Sequence, residues 1–150
     1  MLDTDKLHPM IIHFPIALTL VGVVCELIRF YFRKPEGMFF HKPEPKMPCG
    51  ELLLYIAAAS AVAATLSGFF FTGTFAGEAL DVRNLHMVLA VLSTAALVLT
   101  SLFYIQAHFV RARRPVYTKL GLSFYVLSAL LIILTGHMGG NLVYTYMIGL

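Results

Sequence analysis

Charge is scarce in this chain: only 13% of its 150 residues are Asp, Glu, Lys or Arg, where an ordinary soluble domain carries roughly 25%. With 59% hydrophobic residues and a mean hydropathy of +0.80, that shortage excludes a globular fold solvated by a charged surface. Cysteine is scarcer still. Cys25 falls in an apolar run and Cys49 in a polar connector, so no outward-facing pair is expected for a disulfide. No C-x-x-C-H offers covalent haem attachment, and both cysteines read as inert. H-E-x-x-H, a phosphate-cradling glycine loop, a nucleophile motif and paired carboxylates are all missing from the sequence, which argues against metalloprotease, nucleotide-binding and hydrolase chemistry.

What the chain does have is length of apolar run. Residues 10–32, 52–71, 86–109 and 120–137 are four such stretches, each near the roughly 20 residues a helix needs to cross a bilayer core. The reading is a single all-α domain over residues 1–150, a four-transmembrane-helix bundle whose immediate partner is the lipid bilayer. Of the 11 Lys and Arg residues, Arg29, Arg33, Lys34, Lys42, Lys46, Arg111, Arg113, Arg114 and Lys119 flank the two connectors on one side. Lys6 and Arg83 alone fall on the other. Basic residues gather on the cytoplasmic side of membrane proteins, so both termini and the 72–84 segment are expected on the non-cytoplasmic side. The net charge of +3 is thereby spent on orientation, and nucleic acid is excluded as a partner. The leader carries Asp3 and Asp5 against Lys6, unlike the basic n-region of a cleavable signal; an uncleaved first helix is expected.

The connector 33–50 holds Pro35, Pro43, Pro45 and Pro48 and reads as a surface loop. A second, basic turn is expected to break at Pro115. In the second span Ala57, Ala58, Ala59, Ser60, Ala63, Ala64, Ser67 and Gly68 permit close backbone approach, the main source of helix association in lipid. That helix is expected to be the most enclosed. The fourth span is expected to end near His137, where Gly136, Gly139 and Gly140 suit a helix terminus, with the tail 142–150 folding back on the bundle.

Four of the six histidines gather at the expected outer edge. His8 and His13 open the first span, His86 opens the third with Asp81 or Asn84 as its cap, and His137 closes the fourth. Pro9 suits a first helical turn, whereas Pro15 displaces a helical hydrogen bond one turn on. Imidazoles at a membrane edge are costly to bury and are the commonest protein ligands for metals and haem. The expected site is b-type haem ligated axially by His13 and His86, with His137 as substitute ligand, His8 as a nearby donor, and Met10 or Met138 as thioether alternatives. An outward haem would exchange electrons with an exported c-type cytochrome or another redox subunit, and Glu78 with Asp81 offer a thin acidic docking surface. The bland alternative makes these histidines caps and interhelical hydrogen-bond partners; a third makes three of them a mononuclear metal centre. Glu26 and Arg29 are expected to pair across one turn. His41 and His108 read as surface histidines or ligands of a second, inner haem.

Leu7-His8-Pro9-Met10-Ile11-Ile12-His13-Phe14-Pro15-Ile16 together with Gly139-Gly140-Asn141-Leu142-Val143-Tyr144 resembles domain of unknown function 2231, a family of small four-helix bacterial membrane proteins. The resemblance spans essentially the whole chain. It implies a multi-pass protein of the bacterial cytoplasmic (inner) membrane. It also implies redox work, since similar domains occur beside cytochrome or iron–sulfur modules, although the family's activity is unassigned. Relatives tend to carry a histidine where this chain has Tyr146 and an apolar residue where it has His137. The function expected is an electron-transfer subunit, part of a complex or a homo-oligomer. Its competitor is a non-catalytic anchor or assembly subunit of a respiratory or photosynthetic complex.

Overall fold

The computed structural model describes residues 10–32, 47–70 and 76–146. All regular structure among them is helical: α1 (His13–Phe32), α2 (Cys49–Phe70), α3 (Glu78–Phe109), a short 3-10 turn (Arg111–Arg113) and α4 (Arg114–Tyr144). All four α-helices are long and apolar enough to cross a membrane. α1 packs on α2, α2 on α3, α3 on α4, and α4 closes the ring against α1. α1 and α3 face each other across the diagonal.

The bundle mixes polar side chains into a hydrophobic core of Val23, Leu54, Leu97, Tyr125 and Ile132 and is apolar outside. Thr19, Glu26, Glu51, Ser67, Ser93, Thr100 and Ser128 are buried, while Val24, Ile56, Leu66, Leu99, Leu102 and Ile133 are exposed. Water disfavours so apolar a surface; a hydrocarbon solvent, as apolar as leucine itself, does not. Several interior hydroxyls are satisfied locally, though Thr19 Oγ1 is not: Thr100 donates to the Ala96 carbonyl at 2.8 Å, Ser101 to Leu97 at 2.9 Å and Ser128 to Phe124 at 2.7 Å. Thr65 and Thr94 instead bond to each other at 2.8 Å, joining α2 to α3. On α2 the buried positions Gly50, Leu54, Ala57, Ala61, Ala64 and Gly68 recur every three or four residues, tracing one helical face. A larger share of this helix is buried than of any other, as its small residues lead one to expect.

The helix ends differ from the sequence reading in four places. The third helix begins at Glu78, behind Gly77 at φ 60°, so Asp81 and Asn84 lie inside it and cap nothing. The fourth begins at Arg114 with Pro115 in its first turn, where proline costs no hydrogen bond. It then runs through Gly136, Gly139 and Gly140 to Tyr144, because a backbone bordering lipid has no better partner than its own helix. Leu142 is accordingly buried within α4 and does not start a returning tail. One expectation about a proline holds: the helical path is interrupted at Ile12, next to the Ile11 carbonyl that the missing N–H of Pro15 leaves unserved.

α3, at 32 residues, spans roughly 48 Å against a hydrocarbon core of roughly 30 Å. From the Thr65–Thr94 pair it extends roughly 24 Å to Glu78, whereas α2 extends only roughly 8 Å to Phe70. The start of α3 therefore overhangs α2, carrying Glu78, Asp81 and Arg83 clear of its neighbour.

Candidate functional site

Of the expected site residues, His86 is the one seated between helices. It is half-buried, and its Nδ1 lies 2.9 Å from the Thr135 carbonyl oxygen of α4. A carbonyl only accepts, so Nδ1 carries the proton and donates it. In the neutral ring the lone pair is then on Nε2, the tautomer a metal-ligating imidazole needs, fixed by the kind of bond that orients such ligands. A β-carbon at Gly139 would stand 3.1 Å from His86 Cε1. The glycine is thus a notch that receives the ring.

His13 opens α1 and is exposed, as is His137 on α4. His8 lies outside the described residues, as does His41. His13 nonetheless lies toward the same end of the bundle as His86. Ile16 Cδ1 is 3.6 Å from the position of a Gly136 β-carbon, and further down Gly22 meets the Tyr125 hydroxyl, so α1 and α4 run antiparallel. Three residues back to His13 and three forward to Gly139 each move roughly 4.5 Å toward the same end. His13 and His86 are thus on diagonal helices toward the same end, with the bare backbone of Gly139 beside His86. Among the described residues no three His, Cys, Asp or Glu side chains converge as metal ligands. The three-imidazole metal centre is therefore not assembled there.

At the opposite end lies a second polar cluster, larger than the sequence suggested. Glu26 on α1 is 2% exposed. Arg29 Nε and Nη2 donate to its Oε2 at 3.1 and 2.8 Å, the expected one-turn pair, and the Tyr104 hydroxyl of α3 donates to the same oxygen at 3.2 Å. Glu51 on α2, also 2% exposed, accepts the Tyr55 hydroxyl at 2.7 Å and His108 Nε2 of α3 at 2.6 Å, both on Oε1. His108 is therefore engaged with a carboxylate and not simply a surface histidine. Tyr125 of α4 donates to the Gly50 carbonyl at 3.3 Å.

Glycines make the room. A β-carbon at Gly22 would fall 1.9 Å from the Tyr125 hydroxyl, one at Gly50 2.8 Å from both Glu26 Oε1 and the Gly22 carbonyl, and one at Gly121 2.8 Å from the Tyr104 ring. The same close approach of α1 and α2 puts Cys25 and Cys49 on facing helices, both as free thiols, a proximity invisible in the sequence. The signal that could have revealed this cluster was present, since carboxylates within or bordering apolar spans are rare and costly. Glu51 was overlooked because the expected second span began one residue after it.

Residues 4–150 match the family model described as a predicted membrane protein (DUF2231). The chain belongs to this family. No curated protein and no solved structure matches this DUF2231 chain. The family description names the membrane and no activity, in keeping with the four apolar helices and the apolar exterior of the bundle.

Proposed function

We propose that this DUF2231 protein is an integral-membrane electron-transfer subunit holding a b-type haem near the histidine end, with His13 and His86 as axial ligands. The observation that carries the reading is the His86 side chain: the Thr135 carbonyl fixes its Nδ1–H, and the Gly139 notch receives its ring. The donor chemistry fits, because two imidazoles from diagonal helices are a set that bundle cores use for haem. A bound b-type haem would supply a reversible one-electron iron couple. Within the chain, Thr135 orients His86, Gly139 keeps a side chain out of the space beside it, and Pro15 interrupts the helix that leads to His13. His137, exposed at the same end, is the substitute ligand, and His8, outside the described residues, keeps its expected role as a proton-accessible group.

In this reading the protein crosses the bacterial inner membrane with both termini and the histidine end on the periplasmic side. The basic connectors face the cytoplasm, in line with the distribution of Lys and Arg. The overhanging start of α3, with exposed Glu78 and Asp81, is the surface to which a basic exported c-type cytochrome docks. The test is haem content. His13→Ala and His86→Ala, purified from membranes, lose the pigment that the wild type and His137→Ala retain. Full haem in both single variants rejects the ligand assignment. A colourless wild type that co-purifies with larger partners makes the protein an anchor instead.

A further inference from the structure

The cluster at the other end, between the ends of α1 and α3 and the starts of α2 and α4, holds two buried carboxylates, and among the described residues Arg29 is the one fixed cation bonded to either of them. Glu26 and Glu51 are both 2% exposed. Arg29 answers Glu26 through two donors to one oxygen. Among the described residues the only chargeable group bonded to Glu51 with a proton to give is His108, since Tyr55 is a neutral donor. A carboxylate without a countercharge is strongly disfavoured at membrane depth. A second observation points the same way: Glu26 Oε1 is fully buried and accepts no hydrogen bond, although a cavity of about 20 Å³ opens beside Glu26, Arg29, Tyr104 and Thr118.

We propose that the Glu51–His108 pair is a proton-loading site, which takes one proton from water at the basic end and holds it inside the bundle. His108 suits the entry because its side chain is 43% exposed while that of Glu51 is 3% exposed. An ionised carboxylate only accepts, so neutral His108 carries its proton on Nε2, pointing at Glu51 Oε1. The incoming proton adds to the lone pair on Nδ1. The resulting imidazolium either stays paired with the carboxylate or passes its Nε2 proton to Oε1, keeping the new one on Nδ1. No electron moves, and the charge of the site rises by one. A metal cation fits poorly, because Glu51 Oε1 already accepts two bonds and a hard cation wants about six or more oxygens.

The titratable groups of the cluster come from every helix: α1 supplies Cys25, Glu26 and Arg29; α2 supplies Cys49 and Tyr55; α3 supplies Tyr104; α4 supplies Tyr125. Arg29 opposes proton uptake and Glu26 favours it; Glu51, at 2.6 Å, is the charge bonded to His108. None of this requires haem at the other end.

The test uses the full chain in lipid nanodiscs with 15N-labelled histidine, His108 being assigned by His108→Gln. Loading predicts a protonated Nδ1 on His108 at neutral pH, whether the imidazolium stays paired or has passed its Nε2 proton on, and a bare Nδ1 in Glu51→Gln. If Glu51→Gln does not fold, the wild-type 15N spectrum decides alone. A bare Nδ1 in the wild type, or a protonated one in a folded Glu51→Gln protein, overturns the proposal.

Discussion

Gly22→Ala opposes two effects of known sign. In an exposed helix the change gains about 0.8–1 kcal/mol from propensity. Here the added β-carbon lands 1.9 Å from the Tyr125 hydroxyl, 3.0 Å from Cζ and 3.2 Å from the Leu53 β-carbon. Tyr125 is fully buried and cannot swing into lipid without leaving its bond to the Gly50 carbonyl. Overpacking of a filled core costs about 1–3 kcal/mol, and the lost hydrogen bond about 0.5–1.5 kcal/mol. After the propensity gain, the variant is expected to be about 1–3 kcal/mol less stable. Reversible unfolding in mixed micelles, followed by circular dichroism, measures this. Tyr125→Phe removes the clashing oxygen, so the double variant is expected to lose less than the sum of the singles, with a coupling of about 1 kcal/mol or more. Additive losses, or a Gly22→Ala protein as stable as the wild type, would refute the claim that this tyrosine hydroxyl fills the glycine's space.

Three further outcomes follow from the same coordinates. Gly139→Ala, whose β-carbon would press on His86 Cε1, is expected to displace the imidazole and lower haem occupancy while helical content by circular dichroism stays intact; unchanged occupancy removes the notch from the account. Arg29→Ala strands Glu26 as a buried unpaired carboxylate and is expected to cost about 3 kcal/mol, with Glu26→Gln in the same chain recovering part of the loss; no recovery would show that Arg29 acts by packing alone. Thr65→Val and Thr94→Val each break one interhelical hydroxyl pair and are expected to cost about 0.6 kcal/mol in unfolding experiments, the double variant no more than either single; doubling of the cost would show the two hydroxyls acting separately.

The four spans were legible because a bilayer core demands runs of fixed length and composition, and nothing else in a chain of 13% charge could imitate them. The enclosure of α2 was legible for a related reason, since small residues at helical spacing have little other use. The helix ends were not. Asp81 and Asn84 looked like caps because soluble helices need them, yet α3 starts before both of them, at Glu78. Gly136, Gly139 and Gly140 looked like a terminus because glycine ends helices in water, whereas here α4 passes through them and uses Gly139 for close approach. At the site, the one-turn Glu26–Arg29 pair was readable from spacing alone. The meeting of Glu51 with His108, 57 residues apart, and the proximity of Cys25 to Cys49 depend on which helix faces sit across from one another. No local pattern carries that information.

The absorption spectrum of the purified wild-type protein, oxidised and then reduced, tests the central claim most directly. The account predicts a Soret band with a resolved alpha band on reduction, both lost in His86→Ala. A colourless wild-type protein reconstituted with haem in lipid, or an identical spectrum in folded His86→Ala, would contradict it.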